Sequence, residues 1–142
     1  GLTVLCALIQ YPDVFCAASS SYGISDLKSL AQHTHKYELH YTTTLMGGTY
    51  EDLPGVYKAR SAMYHADKIR TPLLLLQGDQ DRVVAPDQSR HMARAIENRA
   101  GKVKYIEFPS EGHGFRRSDT RKRALEEEFA WCSDAAHIPE IC

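Results

Sequence analysis

Apolar and polar positions change period several times along the chain, and the changes lay out an alternation of helices and strands. Leu2, Leu5, Cys6 and Ile9 recur at helical spacing, which predicts a nearly all-apolar and therefore buried helix through Gln10. It stops before Pro12, because proline disfavours helix in the residue ahead of it. Residues 14–18 read as a short interior strand that runs out into Ser19, Ser20, Ser21 and Tyr22. Residues 26–31 and 36–45 form two helices joined by a polar turn, with Gly47 and Gly48 breaking the second, and 51–60 is a weaker helical segment. Residues 61–70 have no regular pattern.

The second half is clearer. Thr71 and Pro72 introduce the run LLLLQGDQD, a short apolar stretch that stops at Gly78 and two aspartates, as a buried parallel strand does when it delivers a carboxylate into a loop. Pro86 suits the first turn of a helix reaching about Asn98, with Met92, Ala95, Ile96 and Arg99 on one face and Gly101 as its stop. Residues 103–108 are the next strand, leading into EGHGF. Ser118 caps a final helix whose apolar stripe is Ala124, Leu125, Phe129 and Cys132, with Glu126, Glu127 and Glu128 facing water. Strands alternating with helices define the α/β class, a parallel sheet with helices on both faces.

Composition narrows this picture. A chain of 142 residues suffices for one domain or part of one. With 43% hydrophobic and 25% charged residues it is not a disordered chain. Basic and acidic residues number 17 and 18, so no strong field points to nucleic acid or an anionic membrane, and neither is expected as a partner. No apolar run approaches the roughly 20 residues that cross a bilayer. Cys6, Cys16, Cys132 and Cys142 lack CxxC spacing and read as buried or free thiols. The chain opens on Gly1 and enters a helix at once, which reads as a start inside a domain.

The candidate chemistry lies in two loops. In an open α/β sheet the strand ends carry the site. Asp79 and Asp81 are both placed to accept a hydrogen bond from a histidine; Asp81 stands further out, with Val83 and Val84 anchoring the loop behind it, and is preferred, while Asp79 suits capping of turn amides. His113 sits between two glycines, one strand and one helix later, so its imidazole can be thrust out of a loop. Acid before histidine, each after its own strand, matches the order nucleophile, acid, histidine of one hydrolase fold. Ser21 is a weak candidate for the nucleophile, because a strained strand-to-helix elbow wants glycine two residues to either side and Ser19 stands where the first would be. His33, His35 and His40 do not share a helix face or complete a ligand spacing and read as surface or pocket-rim histidines; no metal or cofactor is expected. Arg116, Arg117, Arg121, Lys122 and Arg123 precede an acidic run on the same helix and read as a salt-bridged surface.

Four segments, GLTVLCAL, YGISDLKSLAQHTHKYELHY, ARSAMYHADKIRTPLLLLQGDQDRVVAPDQS and FPSEGHGFRR, together resemble the prolyl oligopeptidase family of serine peptidases, in particular its acylaminoacyl-peptidase and dipeptidyl-peptidase-like members. The resemblance implies the C-terminal half of an α/β-hydrolase catalytic domain spanning residues 1–142, with Asp81 as the acid, His113 as the histidine and Tyr22 as a wall of the substrate pocket. It also implies that Gly1 is the last glycine of a GxSxGG elbow, so the nucleophilic serine and the oxyanion-hole donors lie upstream. The implied activity is hydrolysis of peptide or acylpeptide bonds through an acyl-enzyme in the intact protein, which is expected to be cytoplasmic, with this stretch inactive and poorly soluble alone. A carboxylic ester hydrolase of the same fold, or a non-catalytic binding or dimerisation module, are the alternatives, and a homo-oligomer is left open.

Overall fold

The computed structural model describes residues 1–33 and 41–136. His35, His40, Cys142 and the first half of the helix expected over 36–45 lie outside the described residues, as does the side chain of His33. Among the described residues three parallel strands, β1 (Ala18–Ser21), β2 (Leu73–Gly78) and β3 (Val103–Phe108), form one sheet in the order β1-β2-β3. The helices are α1 (Leu2–Gln10), α2 (Leu27–His33), α3 (Tyr41–Met46), α4 (Pro54–Arg60), α5 (Asp87–Glu97) and α6 (Ser118–Ala136), and a 3₁₀ segment occupies Ala62–Lys68.

The central strand builds two cores, because side chains alternate across a sheet. Leu73 and Leu75 point to one face, where Leu5 and Leu8 of α1, Met92, Ala93 and Ile96 of α5 and the 3₁₀ segment close over them. Leu74 and Leu76 point to the other, against Ile106, Phe108 and Ala124, with Phe115 and Trp131 partly buried alongside. Leu27, Leu30 and Tyr57 form a third, smaller cluster among α2, α4 and the preceding loop. β2 is buried on both faces, which is why it reads as an unbroken apolar run. No helix among the described residues is long and apolar enough to cross a membrane.

Three expectations are corrected. The first strand is Ala18–Ser21 rather than 14–18: its register against β2 pairs Ala18 with Leu73 and Ser21 with Leu76, and Ala18 N–H donates to Pro72 O at 2.9 Å. A parallel ladder needs backbone, not apolar side chains, so serines serve as well as valines once β2 fixes where pairing begins. Val14, the last residue of a turn, and Phe15 just after it, which suggested the strand, are 69% and 43% exposed. Residues 61–70 are not irregular but mostly a 3₁₀ helix that packs on α1 and α5. On α6 the face toward the sheet carries Thr120, Ala124 and Trp131, while Leu125 and Phe129, assigned to the apolar stripe, are 66% and 63% exposed. The helix holds, but of the expected stripe only Ala124 is buried, with Cys132 exposed as well.

Candidate active site

The C-terminal ends of the three strands meet at one rim. β1 is followed at once by Tyr22, whose φ of 44° is a left-handed conformation unusual for a bulky residue. That turn sets the Tyr22 ring against His113, with centroids 4.9 Å apart, and edge-on to Phe115 at 5.3 Å. The helix start approaches the same place, because a Cβ on Gly1 would stand 2.1 Å from the Cα of Gly23. Only glycine lets the N-terminus of α1 come so close to the loop after β1.

β2 delivers the acid. Asp81 has a side chain with no exposed surface. Its Oδ1 accepts from the amides of Val83 at 2.9 Å and Val84 at 2.8 Å, an Asx-type turn that fixes the loop behind it. Its Oδ2 faces the Nδ1 of His113 at 2.9 Å. An ionised carboxylate can only accept, so the shared hydrogen sits on Nδ1 and the lone pair of the imidazole falls on Nε2. Asp79 plays the other part foreseen for it, accepting from an amide: Ser110 N–H donates to its Oδ1 at 2.7 Å across to the β3 loop.

β3 delivers the histidine through a loop that is tied at both ends. Gln80 N–H donates to Glu111 O at 2.8 Å, and a Cβ on Gly78 would stand 2.4 Å from that same oxygen, so the two loops touch backbone to backbone. The Glu111 carboxylate is buried and accepts from the amides of Arg116 at 2.8 Å and Arg117 at 3.0 Å, folding residues 111–117 over His113. These amides, Arg116 first, outweigh burial and hold the carboxyl below its ordinary pKa.

Sequence reasoning did not single out Gln77, Ser89, Glu111 or Phe115. Gln77 could have been noticed as the one polar side chain inside the apolar strand. Ser21, Tyr22, Val83 and Val84 line a cavity of about 330 Å³ together with Gly1 and His113. Ser21 shares that cavity with the imidazole but makes no hydrogen bond to it, and the hydroxyls of Ser19 and Ser20 are buried without a partner among the described residues. Of the basic residues near α6, Lys122 and Arg123 pair with Glu126 and Glu127 of the acidic run, as expected, and Arg117 pairs instead with Asp119. Among the described residues, Cys6, Cys16 and Cys132 are unpaired thiols.

A parallel sheet with helices on both faces, bearing an acid and a histidine in hydrogen-bond contact on successive strand ends, defines a partial α/β domain of the α/β-hydrolase kind. The prolyl oligopeptidase family (peptidase S9) matches residues 1–138, and the chain belongs to that family. Dipeptidyl aminopeptidase BIII of Pseudoxanthomonas mexicana is 32% identical over 135 residues, covering 91% of this chain and 20% of the relative. Esterase LipQ of Mycobacterium tuberculosis is 32% identical over 114 residues, 78% of this chain and 27% of the relative. A solved Mycobacterium tuberculosis puromycin-hydrolyzing peptidase superposes with a TM-score of 0.90 at 43% identity over 94% of this chain and 20% of its own. The chain spans 16% to 27% of the length of the curated relatives it matches.

Proposed function

We propose that this chain is the C-terminal part of a serine-type peptidase catalytic domain and supplies the acid and the histidine of its relay. The observation that carries the reading is the 2.9 Å contact between His113 Nδ1 and a fully buried Asp81 carboxylate, at the rim of a cavity that the N-terminus of α1 also lines. A serine just ahead of Gly1 would enter that cavity beside the imidazole. His113 Nε2 takes the hydroxyl proton as Oγ attacks the substrate carbonyl, and Asp81 stabilises the imidazolium that forms. The same nitrogen returns the proton to the leaving amine, and water then hydrolyses the acyl-enzyme by the reverse exchange. Tyr22, held by its left-handed turn over the cavity, forms one wall of the substrate pocket. The substrate is a peptide or acylpeptide bond, and the 142-residue chain alone is inactive.

The likeness to an esterase favours one second reading, because the same relay attacks a carboxylic ester. Peptide, acylpeptide, puromycin and ester substrates offered to the intact protein separate the two.

A fluorophosphonate probe tests the main reading. The intact protein is expected to label stoichiometrically, the isolated 142-residue chain not at all, and His113→Ala in the intact protein to react roughly 10⁴-fold or more slowly. Labelling of the isolated chain would place a nucleophile within it, with Ser21 the first suspect; no labelling of the intact protein would end the serine-hydrolase reading.

A further inference from the structure

Asp81 Oδ2 serves two donors. One is His113 Nδ1 at 2.9 Å; the other is Gln77 Nε2 at 3.0 Å, from a side chain that is wholly buried inside β2. The second hydrogen of that amide faces Gly78 O and Val84 O, both at 3.3 Å. Its carbonyl, Oε1, accepts from the hydroxyl of Ser89 at 2.9 Å, a buried residue in the first turns of α5. Every polar atom of Gln77 is therefore matched in one orientation of the amide. Turned over, Oε1 would face a carboxylate and two carbonyl oxygens in a place no water reaches, an arrangement of acceptors against acceptors.

We infer that Gln77 is a positioning residue for the acid, holding the Asp81 carboxylate plane so that Oδ2 meets His113, and that Ser89 locks the amide in the orientation this needs. The inference rests on the relay reading for its catalytic meaning, but not for its geometry. Two amides on Oδ1 fix one oxygen of Asp81 and leave the carboxylate free to rock about that edge. The Gln77 donor fixes the other oxygen. Because Gln77 lies on β2 and Ser89 on α5, the aim of the acid depends on how that helix is docked against the sheet.

The Nδ1–H proton of His113, observed by NMR after histidine-selective ¹⁵N labelling, reports the contact without any need for turnover. Gln77→Met keeps the side-chain volume and removes the donor, so exchange of that proton with water is expected to accelerate about tenfold or more. Ser89→Ala should move it in the same direction by less, and the ring signals of His65 and His91 should not change in either variant. In the intact protein the same two variants should lower kcat while KM holds, since an aimed acid matters only once the imidazolium forms. Unchanged exchange in folded Gln77→Met, or no protected Nδ1–H in the parent protein, overturns the inference; if Gln77→Met fails to fold, Ser89→Ala decides alone. Should the protein hydrolyse nothing, the relay reading falls, and the proton exchange still tells whether Gln77 aims the carboxylate.

Discussion

Asp81 is surrounded by four N–H groups, two on each oxygen, and that count dictates what a one-atom change does. In Asp81→Asn the carbonyl of the new amide stays on the Val83 and Val84 amides, so its NH₂ must face Gln77 Nε2 and His113 Nδ1. Donor meets donor, and His113 relieves the clash by moving its proton to Nε2, the nitrogen that serves as the base in the proposed relay. Activity of the intact protein is expected to fall about 10⁴-fold with modest change in KM, as happens when a histidine relay is left in the wrong tautomer. Stability should fall by about 1–3 kcal/mol, read by chemical denaturation. A variant with kcat near that of the parent would mean that the contact does no catalytic work. Asp81 and His113 could be singled out in sequence because each follows a strand, Asp81 in the loop that opens at Gly78 and His113 between Gly112 and Gly114, a local signal. Gln77 and Ser89 were not, since their meaning arises only when α5 packs on β2 and closes the gap between them.

At the scale of elements, the loop from β3 to α6 is held in shape by one buried carboxylate. Glu111 closes the loop by accepting the amides of Arg116 and Arg117, and those contacts favour its charged form. A carboxyl whose pKa is lowered on folding stabilises the protein above the unfolded value of about 4.3 and loses that contribution as pH falls through the folded value. Glu111→Gln is therefore expected to cost about 1–3 kcal/mol at pH 7, with the gap to the parent narrowing below roughly pH 4. Urea denaturation at several pH values checks both halves of the statement; a pH-independent gap would show that shape and not charge matters at this position. β2, buried on both faces, was legible from its run of apolar residues; α1 was legible as a helix from a similar run, but only Leu5 and Leu8 on one side of it are buried. β1 was misplaced because its position is set by ladder partners more than fifty residues away, and α6 was misphased because its inner face carries Thr120, Ala124 and Trp131 rather than a run of aliphatic side chains.

At the scale of the whole molecule, two surfaces stand without partners among the described residues. Ala18 and Tyr22 direct their N–H groups to β2, so the alternation of a parallel ladder turns those of Ser19 and Ser21 outward along an open edge. On the face of the sheet that α6 covers, Leu125 and Phe129 stand side by side one helical turn apart, both mostly exposed. An open parallel edge and an exposed apolar pair are each a route to association. The 142-residue chain is accordingly expected to self-associate at micromolar concentration and to bind a hydrophobic dye. Replacing the pair by Leu125→Glu and Phe129→Lys puts an i,i+4 ion pair where the apolar surface was and leaves the buried face of α6 untouched. Sedimentation velocity should then show the monomer fraction rising and dye binding falling, with the residual association attributable to the β1 edge and reduced further by Ser19→Pro, which removes an outward N–H and no ladder bond to β2. A parent chain that sediments as a monomer without binding dye would show that these surfaces are not sticky, and the apolar pair on α6 would need another explanation.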